Sequence, residues 1–111
     1  MKLWQDLMKG SIDSLLLCLL AEQPTYGYQI IKELSRRSQG YFKFKEGTLY
    51  PALHRLESRG LVDGKWQMLP SGRQRRYYHL TEKGYATIGE RKSQWEEFTL
   101  AMNKIIQPAN L

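Results

Sequence analysis

One short segment of the sequence combines a helical apolar stripe with an opposite face suited to contact. In residues 46–62, EGTLYPALHRLESRGLV, three leucines (Leu49, Leu53 and Leu56) recur at the i, i+4, i+7 spacing of an amphipathic helix. The remaining face lacks the run of Glu, Lys and Gln that suits a merely solvated helix. Its hydroxyl, imidazole and guanidinium groups can bond to phosphates or to base edges. The residues expected to make such contacts are Thr48, Tyr50, Pro51, His54 and Arg55, with Lys45 just before the helix.

A basic segment follows this helix. Residues 64–80, GKWQMLPSGRQRRYYHL, contain four basic side chains and no acidic one. The formal net charge of +6 is carried entirely by residues 1–80, which hold 13 Lys and Arg against 7 Asp and Glu, whereas residues 81–111 hold 4 of each. A charge concentrated in this way favours a polyanionic partner, although a solvated basic loop would have the same composition.

Helix and turn signals divide the chain into elements that position these groups. The predicted elements are helices at 11–22, about 26–37, about 48–59 and about 82–107, with strands at 61–69 and 73–80. Thr25, Thr48 and Thr81 are the predicted N-caps of the last three helices. Gly60 is expected to end the third helix, and Gly72 to form the tight turn between the strands. The expected fold is mainly α with a small β-hairpin.

The last predicted helix carries a heptad pattern. Apolar residues recur there at a spacing of seven with one charged interruption, as in a coiled coil. A terminal helix with so narrow a seam needs a partner chain to cover it, so we expect a homodimer. The predicted interface residues are Ile88, Arg91, Trp95, Phe98, Met102 and Ile105.

Composition limits the class of protein. The chain has 111 residues, 41% hydrophobic, which suits one globular domain. Its longest apolar run, 15–21, is too short to span a bilayer. The single cysteine, Cys18, cannot form an internal disulfide and fits a cytoplasmic protein. The sequence contains no arrangement of nucleophile and base, no phosphate-binding glycine loop and no metal-ligand spacing, so we expect no enzyme activity, cofactor or metal site.

The sequence allows two interpretations of Tyr50. This residue suits equally well a lid over the second helix and a direct contact with a partner. Trp66 is expected in the core of the hairpin rather than on a stacking surface. Gly27, one step inside the second helix, indicates a close approach of neighbouring backbone.

Three segments of the sequence resemble the PadR family of bacterial transcriptional regulators. They are YGYQIIKELSRRS, EGTLYPALHRLESRGLV and GRQRRYYHLTEKG, and the resemblance runs from about residue 11 to residue 84. It implies a winged helix-turn-helix DNA-binding domain at 1–80 and a long C-terminal dimerisation helix at 81–111. It also implies repression through a palindromic operator, often relieved by a small molecule.

The resemblance also assigns roles to individual residues. The recognition-helix positions are Thr48, Tyr50, Pro51 and Arg55, and the wing positions are Gly72, Arg73, Arg75 and Arg76, with Tyr77 on the same strand face as Arg75. Trp95 and Phe98 match positions where some family members bind planar or aromatic effectors, although packing is the commoner role of such residues. Two other functions fit the residues: a protein-interaction module that binds an acidic surface, and a sensor of aromatic ligands.

Overall fold

Helices build most of the molecule, and a small antiparallel sheet lies at one side of them. The computed structural model describes residues 11–107. Its elements are α1 (Ser11–Glu22), β1 (Thr25–Tyr26), α2 (Gly27–Arg37), α3 (Glu46–Ser58), β2 (Val62–Met68), β3 (Gln74–Leu80) and α4 (Glu82–Ile106). This arrangement confirms the predicted fold class, a helical core with a β-hairpin and a long C-terminal helix.

Leucines of α1 and α3 form the centre of the core. Residues 11–22 are apolar on most sides, so α1 can be surrounded by other elements. The leucine stripe predicted in α3 is fully buried, and Ile30 of α2 closes the core from a third direction. Burial of each such side chain contributes about 1.5–3 kcal/mol. The core therefore fixes which face of α3 points outward.

The sheet has the strand order β1-β3-β2, and all of its pairs are antiparallel. The β2–β3 hairpin turns at Gly72, whose φ of +88° is a conformation that glycine adopts without strain. Tyr78 and Leu80 face the core, as the alternation along β3 predicts. The two-residue strand β1 was not predicted, because so short a segment has no periodicity of its own. It joins the start of α2 to the hairpin.

Two predicted helix starts are wrong. The helix α3 begins at Glu46 after the extended residue Lys45, and the N–H of Thr48 already donates to the Lys45 carbonyl at 3.0 Å. Thr48 is thus inside the first turn and is not the cap. Thr25 does not cap α2 either, because its backbone pairs with Tyr78 in the sheet. By contrast, the Thr81 hydroxyl accepts a hydrogen bond from the N–H of Gly84 at 3.1 Å, which confirms the predicted cap of α4.

The first turns of α4 pack on the helical core, and the rest of this helix extends beyond it. Ile88 is buried with the leucines of the core. One turn later the Arg91 guanidinium donates to the Ser14 hydroxyl of α1 at 3.1 Å. Within residues 11–107, none of the helices is both long and apolar enough to span a bilayer.

Candidate nucleic-acid interface

The outward face of α3 is exposed along its whole length. Pro51, His54 and Ser58 point away from the buried leucines, because they lie about half a turn from them on the helix. Pro51 sits in the sixth helical position without a break in α3. Thr48 and Arg55 are exposed on one flank of this face, and Tyr50 lies on the other.

Tyr50 packs across the start of α2. A Cβ built on Gly27 would lie only 2.5 Å from the Tyr50 hydroxyl oxygen, so glycine leaves room for the phenol ring. The close neighbour that the sequence predicted for Gly27 is therefore a side chain and not backbone. Tyr50 is still 36% exposed. It covers the start of α2 with the hydroxyl end of its ring and remains partly accessible.

An ion pair holds the β2–β3 hairpin, which we call the wing (residues 62–80), against α3. Arg76 donates to the Glu57 carboxylate at 2.6 Å, and this hydrogen bond raises the pKa of Arg76. Its guanidinium also lies 5.5 Å from the centre of the Trp66 ring. A Cβ on Gly64 would be 2.5 Å from the Arg76 Nε, so the glycine admits this side chain. Arg76 thus joins the wing to α3.

The other wing arginines have different surroundings. The Arg75 guanidinium stacks 3.8 Å from the centre of the Tyr26 ring, which in turn contacts Tyr77 edge-on with 5.4 Å between ring centres. A cation over an aromatic face in this way is held in place by the ring quadrupole. Arg73 lies exposed at the tip of the wing, next to Gly72. Besides Arg76 and the exposed Lys65, the wing therefore presents one cation held against an aromatic ring and one exposed at its tip.

A groove of about 1000 Å³ separates the wing from α3. Its lining includes Tyr28, Tyr50, His54, Trp66, Arg73, Arg75 and Arg76. Trp66 is 61% exposed on its wall, so the prediction that it belongs to the hairpin core is wrong. The reason is that β2 extends past the helices after Val62, which is its only fully buried residue. The groove has an aromatic lining and a net positive charge. Glu57 also lines it, but Arg76 neutralises that carboxylate, and Arg73 and Arg75 add further positive charge.

The opposite flank of α3 carries a second pair of arginines. Arg55 and Arg59 lie within 3.3 and 3.8 Å of the two carboxylate oxygens of Asp13 in α1. Asp13 is buried, whereas both arginines are about half exposed. Neither Asp13 nor Arg59 was a predicted site residue. Their only sequence signal is an acidic residue, Asp13, in the first turn of a mainly apolar helix.

Residues 16–90 match the transcriptional regulator PadR-like family. The chain belongs to this family. It is 36% identical over 92 residues to an uncharacterized protein of Lysinibacillus sphaericus, covering 83% of this chain and 84% of that one. It is 39% identical over 77 residues to the transcriptional regulator Rv3488 of Mycobacterium tuberculosis, covering 69% of this chain and 68% of that one.

A solved structure gives the same assignment. The PadR-like transcriptional regulator BC4206 of Bacillus cereus superposes with a TM-score of 0.80 at 28% identity, covering 95% of this chain and 99% of that one. The PadR-like family consists of transcriptional regulators and not enzymes, in agreement with the sequence analysis.

The heptad residues of this PadR-like chain fall into two groups. Ile88 and Arg91 are engaged within the protomer, as described above. Farther along α4, the Trp95 and Phe98 ring centres are 5.7 Å apart with a 38° tilt, and Trp95 is about half exposed. Met102 is partly exposed, and Ile105 is 80% exposed.

A cavity of about 370 Å³ lies between α1 and α4 of the PadR-like chain. Its lining includes Leu15, Cys18, Phe42, Ile88, Arg91, Lys92 and Trp95. The walls are mainly apolar, with two cationic side chains and the carboxylate of Glu96. Burial raises the pKa of the Cys18 thiol, an effect that Lys92 only partly offsets.

Proposed function

We propose that this PadR-like regulator is a homodimeric repressor that binds a palindromic operator in double-stranded DNA. The observation that carries the proposal is the exposed face of α3 beside the cationic groove of the wing. Helix-turn-helix proteins place such a helix in the major groove, with phosphate contacts on either side. A protein-interaction module would not require arginines stacked in a groove next to an exposed helix.

Each protomer uses two sets of residues on DNA. The face of α3 with Thr48, Tyr50, Pro51, His54 and Arg55, preceded by Lys45, enters the major groove. Hydroxyls there bond to phosphates or base edges, and Pro51 and the Thr48 methyl pack on thymine methyls. The wing, with Gly72, Arg73, Arg75, Arg76 and Tyr77, follows the flanking backbone. Arg75 contacts phosphate from its fixed position on Tyr26, while Arg76 keeps the wing at the correct distance from α3.

The two roles belong to separate segments of the chain: residues 1–80 bind DNA, and residues 81–111 form the dimer. The heptad positions Ile88, Arg91, Trp95, Phe98, Met102 and Ile105 form or support the interface. The exposed apolar side chains of Leu100, Ile105 and Ile106 support this role, since α4 carries them beyond the core. Light scattering at micromolar concentration should give the mass of a dimer, and the mass of a monomer would contradict the assignment.

A planar or aromatic effector is the proposed releasing ligand, with Trp95 and Phe98 as its contacts. The cavity beside Trp95 supports this, because α4 links it to the dimer interface and a ligand there would alter the separation of the two α3 helices. Regulation of this kind takes place in the cytoplasm. Quenching of Trp95 fluorescence by a panel of planar aromatic compounds, absent in Trp95→Phe, is the measurement that identifies such a ligand.

A mobility-shift assay on the region upstream of the protein's own gene tests the function. Because each phosphate contact releases counterions, the affinity should fall steeply when salt is raised, with a slope of roughly −0.9 per contact. Absence of a shift at low salt, from protein shown to be folded and dimeric, would overturn the repressor assignment.

The wing is tested by the Arg73→Ala, Arg75→Ala double variant. Both side chains are proposed to contact phosphate, so affinity should fall to a similar degree on every sequence and the salt slope should decrease by roughly 2. A change in sequence preference alone would show that the wing reads bases instead.

A further inference from the structure

Asp13 is the one charged side chain that is buried among residues 11–107. A buried carboxylate is costly unless cations compensate it, and replacement of such a pair by apolar residues is often neutral or stabilising. Here the compensating Arg55 and Arg59 remain 51% and 56% exposed, while Asp13 is only 8% exposed. The carboxylate therefore lies behind two cations that keep most of their surface outward.

The two arginines lie one above the other on α3, because residues four apart share a helix face. This flank is turned away from the wing, whereas Tyr50 and Glu57 on the other flank line the groove beside it. The exposed face of α3 thus has cations along both edges: the wing arginines on one side, and Arg55 and Arg59 on the other.

We propose that Arg55 and Arg59, seated on Asp13, form a second phosphate-binding site for the DNA strand opposite the one that the wing contacts. This rests on the proposed function and adds Arg59 as a DNA contact and Asp13 as a positioning residue. One terminal nitrogen of Arg55 donates a hydrogen bond to the carboxylate at 3.3 Å, and one terminal nitrogen of Arg59 lies 3.8 Å from its other oxygen as an ion pair. The other N–H donors of each fork remain available for a phosphate.

Asp13 acts through pre-organisation. A long flexible side chain loses rotamer freedom when it is fixed against a ligand, which weakens binding. Arginines that the carboxylate already restrains lose less rotamer freedom when they bind phosphate. The net charge of the three groups is still positive, so the cluster attracts phosphate even though it contains an acid.

Arg59→Ala is the first test, with Arg36→Ala as the matched control. Arg36 is a more exposed arginine that pairs with Glu33 on α2, away from the outward face of α3. Measured on the upstream duplex at several salt concentrations, Arg59→Ala should weaken binding and lower the salt slope by about 0.9. Arg36→Ala should change neither quantity. An unchanged slope and affinity for Arg59→Ala would overturn the site.

Asp13→Asn tests the positioning role by the sign of its effect. Removal of an acid from a DNA-binding protein reduces charge repulsion and normally tightens binding. We expect Asp13→Asn to weaken binding by roughly threefold to tenfold, because two arginines lose their restraint. In the Arg55→Ala, Arg59→Ala background the same change should no longer weaken binding. The control Asp63→Asn, at an exposed carboxylate of β2, should not weaken it either.

Equal or tighter binding by Asp13→Asn would overturn the positioning role. Circular dichroism and thermal unfolding verify that each variant is folded, and if Asp13→Asn does not fold, the Arg59→Ala arm alone decides the phosphate site. Absence of binding by the wild-type protein would overturn the proposed function itself. Binding by the wild type with no effect of Arg59→Ala would overturn only this second site.

Discussion

Gly84 packs against the backbone where the wing meets the last helix, so alanine at this position should destabilise the protein. A Cβ there would overlap the carbonyl oxygen of Leu61 and lie 3.2 Å from its carbonyl carbon. The same carbonyl accepts a hydrogen bond from the N–H of Thr81 at 3.1 Å. A backbone oxygen cannot rotate away as a flexible side chain can, so either α4 or the start of β2 must move.

The size of the effect follows from opposing contributions. Overpacking costs about 1–3 kcal/mol, and a weakened Thr81 hydrogen bond adds about 0.5–1.5 kcal/mol. Alanine gains at most about 1 kcal/mol of helix propensity over glycine. The net expectation for Gly84→Ala is a loss of about 1–3 kcal/mol in the free energy of unfolding. For a chain of this size, that lowers Tm by roughly 5–20 °C.

Gly89→Ala is the control in the same helix. Gly89 is exposed, and a Cβ there would meet nothing within 4 Å among the described residues. Only the propensity gain remains, so this variant should be more stable by up to about 1 kcal/mol. Thermal and urea unfolding of both variants at equal protein concentration measures the difference. Effects of the same sign in the two variants would refute the reasoning.

Three further predictions concern the core and its edges. Gly27→Ala should displace the Tyr50 ring, because the Tyr50 hydroxyl lies 2.5 Å from the position of the new Cβ. A mobility-shift assay should then show weaker DNA binding, with little change in Tm. Unchanged binding would contradict a role for the position of Tyr50. Arg37 donates two hydrogen bonds of 2.6 Å to Glu22 and lowers the pKa of that carboxyl from its usual 4.5, so the pair stabilises the fold above about pH 4.5 and loses this contribution progressively as the pH falls below it. Glu22→Gln should therefore reduce Tm more at pH 7 than at pH 3, and equal losses would contradict the ion pair. Burial raises the pKa of Cys18, so less of its thiol is ionised to the reactive thiolate at neutral pH. Iodoacetamide should therefore alkylate Cys18 more slowly than free cysteine. A rate equal to that of free cysteine would contradict its burial.

Periodicity and turn chemistry were sufficient to predict the four helices, the two strands of the hairpin and the outward face of α3. The leucine stripe of α3, the alternation of Tyr78 and Leu80, and the caps at Gly60 and Thr81 each depend on local sequence alone. Gly60 ends α3 with a φ of +75°, as a C-terminal glycine is expected to do. These features could be predicted because their physical causes lie within a few residues.

Contacts between distant elements could not be predicted. The strand β1 exists only because Thr25 meets β3, and Trp66 is exposed because the wing extends beyond the helical core. The position of Asp13 behind Arg59 depends on how α1 packs across α3, which no single segment encodes. Tyr50 shows the same limit: its type indicated either a lid or a contact, and its position over Gly27 with the side chain partly exposed accommodates both.

Hydroxyl-radical footprinting of the proposed dimer on the region upstream of the protein's own gene tests the central claim most directly. If each α3 enters a major groove, two protected half-sites should appear about one helical turn, ~34 Å, apart. The Arg73→Ala, Arg75→Ala variant should lose the flanking protection at the salt concentration where the wild type retains it. Folded, dimeric protein that leaves no footprint, or that protects the duplex uniformly, would contradict sequence-specific binding by α3 and the wing.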